Sequence, residues 1–91
     1  MMTPNTIDFS KVEILRKHIG LSIDDVAVAM EVSRVSYYSW LRGGGMRKGT
    51  ASRARKIIKI LLDLYRDPVW QKEVRPQSPD VRRERWLALV G

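Results

Sequence analysis

Residues 21–44 read LSIDDVAVAMEVSRVSYYSWLRGG, and two short helices with a tight turn between them account for the pattern. Ser22 can accept the free N–H groups of a first helical turn, and Asp25 follows three residues on as a shortened capping-box acid. Ile23, Val26, Ala27 and Met30 recur at i, i+3, i+4 and i+7, which makes one buried face. Asp24 and Asp25 lie in the first turn, where the positive end of the helix dipole favours carboxylates. No histidine or other partner stands near enough in sequence to make them an acid/base pair. After Glu31 and Val32, Ser33 opens a second helix that runs through Tyr37 and Trp40 to Arg42 and stops at Gly43-Gly44-Gly45. Its spacing divides it into an inward side (Tyr37, Trp40, Leu41) and an outward side (Arg34, Val35, Tyr38, Ser39, Arg42) that contains no acid.

On the N-terminal side, a helix of about Phe9 to His18 is expected. Asp8 or Ser10 can cap it, Phe9, Val12, Leu15 and Ile19 form its apolar stripe, and Gly20 stops it. His18 at its C-terminal end reads as a dipole or packing residue. On the C-terminal side comes a basic loop, Gly43 to Thr50. Its glycine spacing is that of a phosphate-binding P-loop, but Thr50 stands where lysine is required and no strand precedes it, so that reading fails. Thr50 is expected to cap a fourth helix, about Ala51 to Arg66, with Ala54, Ile57, Ile58, Leu61, Leu62 and Tyr65 as its apolar face. Asp67-Pro68 ends it. Val69-Trp70 can cover the core, residues 75–79 read as a linker, and Ser78-Pro79 starts a short amphipathic helix over 79–90. The expectation is an all-α fold of four to five helices: a domain over 1–67, then an extension over 68–91.

Composition narrows the function. The 91 residues carry 17 Lys+Arg against 10 Asp+Glu, a formal net charge of +7. Residues 1–40 hold four cations and five acids; residues 41–91 hold thirteen and five. Seven cations and no acid lie between Arg42 and Lys59, a run that attracts polyanions over roughly 8–10 Å at physiological salt. There is no cysteine and one histidine, which argues against disulfides, thiolate chemistry and a His-rich metal site. No apolar run approaches the roughly 18 residues a membrane span needs, and MMTPNTIDF has neither a charged n-region nor an apolar h-region. No nucleophile–base pair or cofactor loop is legible. The expectations are a cytoplasmic protein that is not an enzyme, with no cofactor, no metal, no small-molecule substrate and no membrane partner.

The segment 21–44 resembles the helix-turn-helix of the lambda-repressor/Cro family, also called the XRE family. The likeness keeps register without a gap through Leu21, Ser22, Val26, Ala27, Met30, Val32, Ser33, Tyr37, Trp40 and the closing glycine. With the flanking helices it extends over about residues 9–66. Glu31 departs from it, standing where the family often has glycine. The resemblance implies that helix 33–42 enters the major groove of double-stranded DNA, with Ser33, Arg34, Val35, Tyr38 and Ser39 facing the bases. Arginine can bond guanine O6 and N7, and valine can meet a thymine methyl. Ser22, Arg42, Arg47, Lys48, Arg53 and Lys56 are the expected phosphate contacts, which position without reading sequence. One such helix makes few base contacts, so a homodimer on a pseudo-palindrome is expected, acting as a repressor. Trp86, Leu87 and Val90 on the last helix are candidates for its interface; alternatively that helix folds back onto its own core. A different class of function stays open: a protein-interaction module that uses the basic surface to hold an acidic partner.

Overall fold

Local capping explains where most of the helices begin. A computed structural model describes residues 7–91; the N-terminal stretch read for a signal falls largely outside them. In chain order come α1 (Phe9–Ile19), α2 (Ile23–Ala29), α3 (Arg34–Leu41), α4 (Lys48–Arg66), a π-helical turn (Trp70–Val74) and α5 (Pro79–Val90). Among the described residues there is no strand. The Asp8 carboxylate caps α1 by accepting the Ser10 N–H. At α2 the full reciprocal box forms: Ser22 Oγ accepts the Asp25 N–H at 3.1 Å, and the Asp25 carboxylate accepts the Ser22 N–H at 2.9 Å. Ser33 and Ser78 cap α3 and α5 by the serine half of that box alone, their hydroxyls accepting the Ser36 and Val81 N–H groups, with Pro79 in the first turn of α5.

The turn between α2 and α3 closes by a bond from the Val32 N–H to the Ala27 carbonyl, 3.0 Å. Glu31 takes φ +62° there and is the sole non-glycine residue at positive φ among those described. A side chain in that region is strained, by roughly 1 kcal/mol or more. Its carboxylate lies 3.7 Å from Arg53 and is mostly exposed, so the ion pair offsets little. Glu31→Gly should therefore stabilise the fold by about 0.5–1 kcal/mol, since removed strain exceeds the added chain entropy. A thermal melt checks this; an unchanged or lower midpoint would contradict it.

α4 begins earlier than the sequence suggests. Thr50 lies inside it, not at its cap, and the capping position is Arg47, whose side chain makes no capping bond. The reason lies in the preceding glycines. Gly43 sits at φ +91°, and a Cβ on Gly44 would come within 2.4 Å of Ser39 Oγ. These two residues complete the reversal, so Lys48 to Thr50 are free to join the helix. Leu62 and Tyr65, expected inside, stay partly exposed, while Ala51 and Leu64 are buried in the core-facing row.

One core runs across the boundary expected near residue 67. Phe9 packs edge-on to Tyr37 (centroids 5.5 Å apart) and against Trp40 (5.3 Å). Trp70 and Trp86 belong to the same buried cluster as Val12, Val26 and Leu61. The Trp70 indole donates to the Ile19 carbonyl at 3.0 Å and the Trp86 indole to the Asp25 carbonyl at 2.9 Å. Arg75 donates to His18 O, and Arg82 donates to Gly20 O at 2.7 Å. Residues 70–90 thus serve the open carbonyls at the end of α1 and pack α5 on α2 and α4.

This corrects the dimer assignment. Trp86 is wholly buried in its own chain, and Leu87 and Val90 are partly buried against the same core. An indole with both its ring and its N–H satisfied internally cannot anchor a second subunit.

A second polar linkage joins α1 to α3. Tyr37 Oη donates to Glu13 Oε2 at 2.9 Å, Arg16 donates to both Glu13 oxygens at 2.6 and 2.8 Å, and its remaining Nη1 reaches Leu21 O at 2.8 Å. The Arg16 bond and the phenol hold the Glu13 carboxyl below its ordinary 4.5. Burial, then the neighbouring carboxylate, pushes the Tyr37 phenol well above its ordinary 10.0. The signs are opposite. Stability from Glu13 is complete above its unfolded value and is lost as pH falls through the depressed one. Stability from Tyr37 is complete below about 10 and is lost as pH rises beyond it. Urea midpoints across pH should decline at both ends; Tyr37→Phe should flatten the alkaline limb and, by removing one of the bonds that depress Glu13, make the acid limb shallower as well.

Candidate nucleic-acid interface

The outward side of α3 is open, as its spacing requires. Val35 is 76% exposed and Tyr38 43%. Arg34 and Arg42 also face solvent. Ser33 is exposed, but its hydroxyl is engaged in accepting the Ser36 N–H at 3.2 Å. Ser39 is half-buried under the Gly44 turn, which removes it from the open part of the face. Behind α3, Ala27 is buried in α2, and its carbonyl accepts the Val32 N–H of the turn that leads into α3.

The sequence reading missed the pairing that involves Arg34. Its Nε and Nη2 donate to the two carboxylate oxygens of Asp24, in the first turn of α2. Hydrogen bonding to Arg34 holds the Asp24 carboxyl below its ordinary range, and the same bond raises the guanidinium. So α3 carries no acid on this face, but α2 supplies one to its edge. Arg83 of α5 was missed as well. It bears electrostatically on Asp24, lies 3.7 Å from Asp25, and lines a cleft with Ser22 and Arg82 beside the start of α2. Nothing local signals this, because only the return of α5 brings residue 83 to residue 22.

The seven-cation run is not one patch. Arg42, Arg47 and Lys48 are exposed at and just beyond the end of α3. Arg53 is turned inward: its Nε donates to the Ala29 carbonyl at 3.0 Å, so it fastens α4 to the end of α2. That use competes with its expected role on phosphate. At about 100° per residue, Lys56 lies about 60° around α4 from Arg53, whereas Arg55 and Lys59 lie about 160° and about 120° away. The latter two lie on the side of α4 that carries Leu62 and Arg66, at spacings of three and four residues. The His18 and Tyr65 rings meet at a tilt of 48°, centroids 4.6 Å apart, so the C-terminal ends of α1 and α4, which pack on each other, lie together. Ile14 (64% exposed), Leu62 and Tyr65 are exposed apolar residues of this second face.

No group of His, Cys, Asp and Glu among the described residues could hold a metal ion, and no helix there is long and apolar enough to cross a membrane. No family model matches the chain, and no curated protein or solved structure matches it. The fold is that of a small all-α domain in which α2 and α3, joined by a tight turn, leave one side of α3 open.

Proposed function

We propose that this chain is a sequence-specific, double-stranded DNA-binding regulator of transcription, a repressor that reads the major groove with residues 33–42. The observation that carries this reading is the open face of α3, with Arg34, Val35, Tyr38 and Arg42 exposed on a helix held by a tight turn and a capped partner. A groove about 12 Å wide admits such a helix. Arg42, Arg47, Lys48 and Lys56 extend from it as cations for the phosphates, and Arg83 with the hydroxyl of Ser22 extends the opposite end. The likeness of residues 21–44 to the lambda-repressor/Cro helix-turn-helix supports the same assignment. Action as a homodimer follows from energetics, since two reading helices double the base contacts. Exposed Val69 and Leu89, in place of Trp86, are the apolar side chains that the C-terminal region leaves for a second copy. Repression needs only occupancy of the site.

Titration of the full chain against random duplex DNA tests the reading. Four to five phosphate contacts per copy give a log–log salt slope of about −4 for one bound copy and about twice that for a bound dimer, at −0.9 per contact. The protein-interaction reading has its own observation, the α1/α4 face, where Ile14, Leu62 and Tyr65 lie among Lys17, Lys59 and Arg66. Absent or salt-insensitive duplex binding would favour it over the first.

A further inference from the structure

The Asp24–Arg34 pair stands in solvent at the edge of the α3 face, its side chains 41% and 63% exposed. A pair so exposed adds little to stability, so holding the fold together does not account for it. Its geometry is more informative. A guanidinium presents five N–H donors in a flat fork. Asp24 takes the side edge, Nε with Nη2. That leaves the end edge, where Nη1 and the second Nη2 hydrogen point outward in parallel. Two parallel donors on that edge match the O6 and N7 acceptors of guanine.

We infer that Asp24 is a positioning residue for base recognition: it holds Arg34 with the end of its fork directed at a guanine. This rests on the DNA reading above and deepens it by naming the base. The physical gain is preorganisation. An unpaired arginine must give up rotamer freedom on docking, and one already clamped on its side edge has given up most of it beforehand. Hydrogen bonding, together with the nearby Arg83, keeps the Asp24 carboxylate ionised, so the clamp is present at neutral pH. The same carboxylate repels phosphates. Its removal therefore shifts specific and non-specific binding in opposite directions, which simple loss of a contact would not do.

The test is selection of bound duplexes from a random library, followed by titration, with the full wild-type chain, Asp24→Ala and Arg34→Ala. Wild type should select a guanine that Arg34→Ala no longer selects. Asp24→Ala should lose about tenfold of the preference for that guanine, while binding non-specific duplex as tightly as wild type or more so. Its thermal midpoint should stay within a few degrees, because the pair is exposed. Asp24→Asn, which keeps the shape and loses the charge, gives the same comparison if the alanine variant folds poorly. Wild-type base preference in both Asp24 variants overturns the inference and leaves DNA binding standing. Tighter binding to the guanine site also overturns it, because the pair would then withhold Arg34. A wild-type chain with no affinity for duplex overturns the DNA reading and this inference with it.

Discussion

Trp86→Ala should lower the stability of this chain by about 3–5 kcal/mol. For a domain of this size that is a fall in thermal midpoint of about 15 °C or more. The indole is fully buried and is among the largest buried side chains. Its loss removes apolar contact, leaves a cavity between α5, α2 and α4, and removes the donor that the Asp25 carbonyl accepts. Much of the 5–15 kcal/mol that such domains possess would go. The effect should be independent of protein concentration, since the packing lies within one chain. Glu84→Ala on the same helix is the control: Glu84 is exposed, and about 0.5 kcal/mol or less is expected. A Trp86→Ala variant that melts like wild type but sediments as a smaller species would restore the interface assignment and contradict the packing described here.

Arg34→Ala should cost about 1–3 kcal/mol at a preferred DNA site, about 5- to 150-fold in affinity, and a smaller amount on non-specific duplex, where only the lost charge beside Asp24 is felt. The side chain projects from the first turn of α3 beside Val35 and Tyr38, where a recognition helix makes its base contacts. Lys48→Ala should behave in the opposite way, weakening every duplex alike and reducing the salt slope by about one. An equal loss on both DNAs for Arg34→Ala would make it a phosphate contact. Because Arg34 contributes an exposed pair only, its replacement should leave the melting midpoint nearly unchanged.

How much of this was readable beforehand depended on how far apart the interacting groups lie in the chain. Ser22, Ser33 and Ser78 cap within three residues of themselves, and Gly20 closes α1 through Arg16 just before it, so a short window contains the whole cause. The start of α4 was misread because Thr50 is a good cap in isolation; the turn made by Gly43 and Gly44 against Ser39 decides otherwise. The candidate interface was half readable. The open face of α3 follows from spacing, but Arg34 meets an acid ten residues away, and Arg53 reaches a carbonyl 24 residues away. Neither pairing leaves a local trace.

The order of residues alone determined the helical class, the caps, the two-sided character of α3 and the excess of positive charge over 41–91, because each arises from periods of three to four residues or from composition. Tertiary packing alone decided which cations share a face, which acid stands beside Arg34, and that α5 returns to seat Trp86 on α2. Those outcomes depend on how helix faces pack across gaps of up to 62 residues, where burial of apolar area selects among arrangements that the local pattern leaves equivalent.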